Sequence, residues 1–268
     1  MALLEINGLG KTYGEGDGAT HAIGDVSFSL DEREFVCVVG PSGCGKTTLL
    51  KCMSGLLEPT RGDVLLRGER VDGPPEAMAL VFQEYSRSLL PWMTVRGNVV
   101  MPLRHKKLDK AESARLVEEA VDAVGLTEFI DRYQWQLSGG MQQRVAIARA
   151  LAYQPEILLM DEPFASVDAQ TRGDLEDLIL QVRDRYDMTI LFVTHDIDEA
   201  VYLGQRVLIL SSSPTVVRED LAVDLPDERD QLNTRSSPRF AELRARVYSQ
   251  IHRPKVEAGA PVAADSAH

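Results

Sequence analysis

The chain has 268 residues, 44% of them hydrophobic and 26% charged, which is ordinary globular composition with enough apolar material for a sizeable core. Its 29 basic against 41 acidic side chains give a formal charge of −12, which argues against general binding to nucleic acid. Met1 to Gly8 has no basic flank of a secretory leader, and the longest apolar runs are far too short to cross a bilayer, so a soluble intracellular protein is expected. Cys37, Cys44 and Cys52 form no Cys-x-x-Cys pair and have no histidine at metal-ligand spacing. They read as small residues of a strand, a loop and a helix.

In chain order, short strands are expected at Leu3 to Asn7 and Ala22 to Leu30. Phe35 to Val39 is a continuous apolar run closed by Gly40, which suits a strand buried on both faces. A helical pattern follows Lys46. From about Tyr85 to Tyr133 no strand is readable and the segment reads as a helical insert. Within it Leu116, Ala120, Val121 and Val124 share one face of a helix over about Lys110 to Val124. Another helix spans about Gly139 to Ala152. Ile157 to Met160 and Thr189 to Val193 read as buried strands, with a long helix near Thr171 to Asp187 between them. Strands alternating with helices indicate a parallel-sheet α/β core. Past about Pro226 the chain turns polar, with a short helix near Phe240 to Ile251 and an Ala-rich end, Ala258 to His268, expected to be disordered.

Three stretches carry chemistry. Gly40-Pro41-Ser42-Gly43-Cys44-Gly45-Lys46-Thr47 fits the pattern G-x-x-x-x-G-K-[ST] between an apolar strand and a helix, a match expected by chance in about one per cent of such chains. Its glycines let the backbone wrap a phosphate, Lys46 meets the β- and γ-phosphates, and the Thr47 hydroxyl can ligate Mg²⁺. Ile157 to Met160 ends in Asp161-Glu162, two acids delivered to the edge of a buried strand. Asp161 suits the Mg²⁺ shell, and Glu162 suits a general base for an attacking water. Leu137-Ser138-Gly139-Gly140-Met141-Gln142-Gln143-Arg144 opens a helix with Ser138 as N-cap, either as a plain capped start or as a second phosphate-binding surface.

On these residues the chain resembles the ATP-binding subunit of ABC transporters, over nearly its whole length to about Pro226. The resemblance implies a P-loop NTPase core of ABC ATPase type, with an antiparallel β subdomain and a helical subdomain at about 85–150. That places the ATP-binding domain at 1–225 and a short extension at 226–268. Leu137 to Gly140 with Gln142 to Arg144 looks like the family signature, and by resemblance Ser138, Gly139, Gly140 and Gln142 act on ATP held by the opposite subunit of a head-to-tail homodimer. The implied nucleotide-binding set is Tyr13, stacking on adenine, with Gly40, Pro41, Ser42, Gly43, Cys44, Gly45, Lys46, Thr47 and Thr48. The implied catalytic set is Glu162, His195 as γ-phosphate switch, and Gln83, which also touches Mg²⁺ and couples to the membrane partner. Thr47, Gln83 and, through water, Asp161 would hold the metal. Asp168 matches the loop that crosses the dimer interface. ATP and Mg are the implied cofactors. His21, His105, His252 and His268 match nothing. Met141, and Ala165-Ser166-Val167 ahead of Asp168, depart from the usual family residues without removing a catalytic group.

Within that family, a chain without membrane helices, coiled-coil or zinc insertions, and with one cassette, resembles a separate subunit docking on a permease. Leu89 to Val99 looks like importers of the nitrate, sulfonate, taurine and bicarbonate group; in it Trp92 is equally readable as a permease anchor and as a core residue. Ser237 to Arg244 resembles the C-terminal helix of the same group. With Arg239, Arg244, Arg246, Arg253 and Lys255 against Glu242 it reads as a solvated helix in preference to one lying towards anionic lipid. The expected function is an ATP hydrolase on the cytoplasmic side of a bacterial membrane, powering import of a small anionic solute. Its expected partners are a second copy, membrane permease subunits and, indirectly, a periplasmic or extracellular solute-binding protein, with no nucleic acid. The rivals are the ATPase of an exporter or lipid system and a non-transport dimerisation switch. Cys44, at a helix start whose dipole favours thiolate, is expected to react with alkylators and to be shielded by Mg-ATP.

Overall fold

Three five-residue runs occupy the centre of the molecule because their side chains are apolar on both faces. β3 (Phe35–Val39), β7 (Ile157–Asp161) and β8 (Thr189–Val193) are buried at every position. Successive residues point to opposite faces, so Phe35, Cys37 and Val39 pack into one hydrophobic core while Val36 and Val38 pack into another. The protein is described by a computed structural model that covers residues 2–84 and 88–253. The starting point of the helical insert at Tyr85 and the expected disorder of Ala258 to His268 lie outside the described residues.

The other strands are β1 (Leu4–Tyr13), β2 (Thr20–Leu30), β4 (Arg61–Leu66), β5 (Glu69–Arg70), β6 (Met78–Val81), β9 (Arg206–Leu210) and β10 (Thr215–Ala222). The described strands form a ten-stranded sheet in the order β5-β4-β1-β2-β10-β9-β3-β8-β7-β6. From β9 to β6 all neighbours run parallel, whereas β1 pairs antiparallel with β2 and β4, and β4 with β5. The sheet is therefore an α/β core with an antiparallel arm. β1 continues well past Asn7, because irregular register shifts between Ile6 and Thr12 let its glycine-containing half keep pairing with β2.

Helices join the parallel strands: α1 (Lys46–Met53), α5 (Ala169–Tyr186) and α6 (Ile197–Leu203). Between β6 and β7 lie α2 (Val95–Val100), α3 (Lys110–Ala123) and α4 (Gly139–Ala152), started by the side-chain caps Thr94, Asp109 and Ser138. Buried Asn98 ties the preceding loop to α2, its carboxamide taking the Leu90 N–H at 2.7 Å and donating to the carbonyls of Leu90, Met93 and Thr94.

The C-terminal helices α7 (Asn233–Ser236) and α8 (Pro238–Ile251) correct one expectation. α8 is not a solvated helix: Phe240, Leu243 and Val247, spaced along one face, are buried in the core that also holds α6 and β9. Its arginines face acids of the cassette, Arg239 with Asp224 at 2.8 Å, Arg244 with Asp198 at 2.6 Å, and Arg246 with Glu219. Lys255 lies outside the described residues.

Candidate active site

Because β3, β6, β7 and β8 are parallel, the residues that follow them emerge at one edge of the sheet, where open α/β sheets bind ligands. Gly40 to Gly45 follow β3, Gln83 follows β6, Glu162 follows β7 and His195 follows β8.

The phosphate loop turns into α1 at Gly45, whose φ of +104° is a left-handed conformation that glycine adopts without cost. The Cys44 carbonyl accepts from the Thr215 hydroxyl of β10, which pins the loop from outside. Lys46 is only 6% exposed; its ammonium donates to the carbonyls of Gly40 at 3.1 Å and Pro41 at 3.3 Å and faces Glu162 Oε1 at 3.6 Å. Ser42, Gly43 and Thr47 are exposed at the loop surface. Tyr13, the last residue of β1, is half exposed and its hydroxyl is hydrogen-bonded to Thr48 Oγ1 at 3.3 Å, which brings an aromatic face beside the start of α1.

Glu162 collects the remaining groups. It sits in a left-handed conformation, φ +43°, and its N–H donates to the Val193 carbonyl of β8 at 2.9 Å. One carboxylate oxygen, Oε2, lies 2.9 Å from His195 Nδ1 and 3.4 Å from Gln83 Nε2, while the other faces Lys46. Lys46, Gln83, Glu162 and His195 are thus one cluster. Asp161, at the end of β7, is 4% exposed, accepts from the Thr47 hydroxyl and leaves Oδ1 without a partner. Burial pushes its carboxyl above the ordinary range, and the Thr47 hydrogen bond opposes this. An orphaned buried carboxylate oxygen beside a hydroxyl is a hard oxygen donor set, which fits Mg²⁺ shared with phosphates. Among the described residues no cluster of three or more His, Cys, Asp and Glu forms a metal site on its own.

Cys44 overturns the expectation of a reactive thiolate. It is 2% exposed, and burial raises its thiol above the usual value despite the neighbouring Lys46 ammonium. Desolvation outweighs the helix-terminus effect. Cys37 and Cys52 are also buried, with raised thiols.

The second candidate phosphate surface lies at the start of α4. Ser138 and Gly139 are exposed, and the Ser138 hydroxyl accepts from the Met141 N–H at 3.3 Å. Gly140 is buried where a Cβ would stand 2.3 Å from Thr171 Cγ2, so α4 and α5 approach closely there. The Gln142 carboxamide donates to the carbonyls of Gln134 and Leu137, both at 3.2 Å, bracing the turn ahead of the helix.

Asp168 caps α5, accepting from the Thr171 N–H at 3.0 Å and its hydroxyl at 2.7 Å, which holds its carboxyl below the ordinary range. Behind it is a network that no local motif announces. Arg172 pairs with Asp196 at 3.2 Å and Glu199 at 3.5 Å and donates to the Val167 carbonyl. Buried Glu199 accepts from the Thr194 hydroxyl at 2.5 Å, and that hydroxyl accepts from the Asp196 N–H. The loops bearing Asp168 and His195 are thereby joined. Trp92 is resolved by its 68% exposure: it is a surface residue.

Comparison with known proteins matches this geometry to a family. The model described as ABC transporter matches residues 23–165. An uncharacterized ABC transporter ATP-binding protein of Methanocaldococcus jannaschii is 45% identical over 91% of this chain and 89% of its own length. The nitrate import ATP-binding protein NrtD of a Synechocystis strain is 42% identical over 87% of each chain. The bicarbonate transport ATP-binding protein CmpC of Synechocystis is 38% identical over 94% of this chain but 38% of its own, longer length. A dimeric bacterial ABC transporter cassette superposes with a TM-score of 0.72 at 31% identity, covering 83% of this chain and all of that one. The same cassette as a post-hydrolysis dimer bound to ADP and phosphate gives 0.72 at 30%, with the same coverage. The chain belongs to the ABC transporter family, as an ATP-binding, ATP-hydrolysing cassette of α/β fold.

Proposed function

We propose that this cassette powers the import of a small anion of the nitrate, sulfonate, taurine or bicarbonate kind through a separate membrane permease. The observation that carries the reading is similarity to a nitrate import ATP-binding protein, at 42% identity over 87% of each chain. Exposed Trp92, in the segment after Gln83, supports it as an apolar anchor for a permease helix. No described helix is long and apolar enough to cross a membrane itself.

In this reading the γ-phosphate of ATP lies against Lys46 and the N–H groups of Gly43 to Thr48, with adenine on Tyr13. Glu162 takes a proton from a water aligned by its carboxylate. That water's oxygen bonds to the γ-phosphorus as the bond to the β-phosphate oxygen breaks, leaving ADP and inorganic phosphate. His195 orients the Glu162 carboxylate and contacts the γ-phosphate, and Gln83 reports the event to the permease-facing surface. Thr47, Gln83 and Asp161 would hold Mg²⁺, which neutralises phosphate charge when bound. Ser138, Gly139, Gly140 and Gln142 of a second copy close the other side of the nucleotide, and Asp168 lies in the loop between copies.

Affinity purification of the tagged chain from detergent-solubilised native membranes tests the transport reading. A polytopic permease should co-purify, and ATPase of the reconstituted complex should rise with a binding protein loaded with nitrate, taurine or bicarbonate. Stimulation only by lipid or an exported compound, or recovery of the active cassette with no membrane protein, overturns it.

A further inference from the structure

α5 is capped by Asp168 and α6 by Asp196, the residue after His195, so the spacing of these two helices sets the spacing of two loops at the candidate active site. Arg172 fastens them near their starts, through Asp196 and Glu199. A second fastening comes from the C-terminal segment, beyond the residues that match the family model. The Gln231 amide is shared among three acceptors of α5: the Gly173 carbonyl at 3.2 Å, Glu176 Oε2 at 3.0 Å and Asp177 Oδ1 at 2.9 Å. Arg235 meets Glu176 Oε2 at 2.5 Å and lies over the Tyr202 ring of α6, 4.8 Å from its centroid. Tyr202 is wholly buried and donates its hydroxyl to Asp177 at 2.6 Å. Arg229 completes the contact by donating to the carbonyls of Tyr202 and Gly204.

The placement of these residues is more specific than anchoring a tail requires. Glu176 is four residues after Arg172 and Tyr202 three after Glu199, so each pair shares one helix face and the two fastenings follow each other one turn apart. Apolar burial of Phe240, Leu243 and Val247 already holds the tail down. Glu176, by contrast, is 1% exposed, and burying an ion pair costs desolvation that its attraction barely offsets, so it adds register rather than stability. We propose that Gln231 and Arg235 are positioning residues, which lock α5 against α6 so that the Asp168 and His195 loops keep one relative placement and turnover proceeds at full rate. The inference rests on the roles given above to the His195 loop at the γ-phosphate and to the Asp168 loop between copies.

The test compares full-length wild type, Gln231→Ala, Arg235→Ala and Arg235→Lys for kcat, for binding of a fluorescent ATP analogue, and for melting temperature. Both alanine variants should lose about tenfold or more in kcat with nucleotide affinity within about twofold of wild type, as small misplacements of reacting groups do. Arg235→Lys keeps the charge for Glu176 and should recover part of the rate. Wild-type kcat in soluble Gln231→Ala, even with a lowered melting temperature, overturns the proposal, as does a fall in nucleotide affinity matching the fall in kcat. If Arg235→Ala does not fold, Gln231→Ala alone decides. Absence of hydrolysis in the wild type would instead count against the active-site reading.

Discussion

The two candidate phosphate surfaces of this chain are built from different materials. The loop after β3 is backed by a wholly buried strand and faced by Glu162, on which a cation, a carboxamide and an imidazole converge, with Asp161 next to it in the chain. The start of α4 offers exposed N–H groups and the Ser138 hydroxyl, with neither an acid nor a cation in its first turn. On the roles proposed above, the first surface binds a nucleotide and moves a proton. The second can only receive a phosphate. A chain carrying one complete and one incomplete half gains from a second copy of itself, which agrees with the dimeric cassettes it resembles.

The sharpest break of that comparison disables one half at a time. Lys46→Ala should reduce ATP binding and hydrolysis to background in a filter-binding and phosphate-release assay, because it removes the buried cation of the loop. Ser138→Arg should bind ATP as a monomer yet not hydrolyse it. Mixing the two inactive proteins should restore activity, since each mixed dimer holds one intact composite site; no recovery would show that the halves do not combine across chains. Glu162→Gln comes next: turnover should drop by roughly 10²–10⁴-fold with binding retained, and an ATP-bound dimer should persist in size-exclusion chromatography. Near-normal turnover would move the base elsewhere.

A smaller effect concerns Glu199, behind the complete half. Burial pushes its carboxyl from the ordinary 4.5 up to about 7, with Asp196 and Glu176 adding like charge and Thr194 and Arg172 opposing. Buried Cys37 also faces it. The native state therefore holds the proton more tightly than the unfolded chain, so stability falls as pH rises from 4.5 to 7. Glu199→Gln keeps an acceptor for Thr194, leaves Arg172 its Asp196 partner and escapes this loss. Urea denaturation should show it gaining on wild type between pH 5 and pH 8, by up to about 3 kcal/mol. A pH-independent difference rejects the assignment. The smallest effect is at Cys44: in the folded protein, mass-spectrometric mapping should find slow alkylation whether or not Mg-ATP is present. Rapid labelling of the empty protein would reinstate a reactive thiolate.

What could be read in advance divides along the same line. Gly40 to Thr47 and Asp161-Glu162 are legible because neighbours in sequence stay neighbours at a strand end, and a buried strand announces itself by apolar continuity. β4 and β5 escaped notice because an edge pair containing Arg61, Asp63, Glu69 and Arg70 has the composition of a loop. Trp92 stayed open until its exposure was known, since a tryptophan beside proline suits a surface anchor and a core alike. The contacts of Arg172, Glu176, Tyr202, Gln231 and Arg235 could not be foreseen at all: they link residues 24 to 59 positions apart through side chains of common types. The tail misled for a related reason, its arginines reading as solvated until the acids they face are known.

Glu162 leaves β7 with a left-handed backbone, where an L side chain costs about 1 kcal/mol and glycine costs nothing. Backbone preference alone would therefore favour glycine at that position and discard the acid. The carboxylate persists against the local preference of its own backbone, held there by its pairing with the buried Lys46 ammonium and the His195 ring, so a position strained in its backbone is tied down by its side chain.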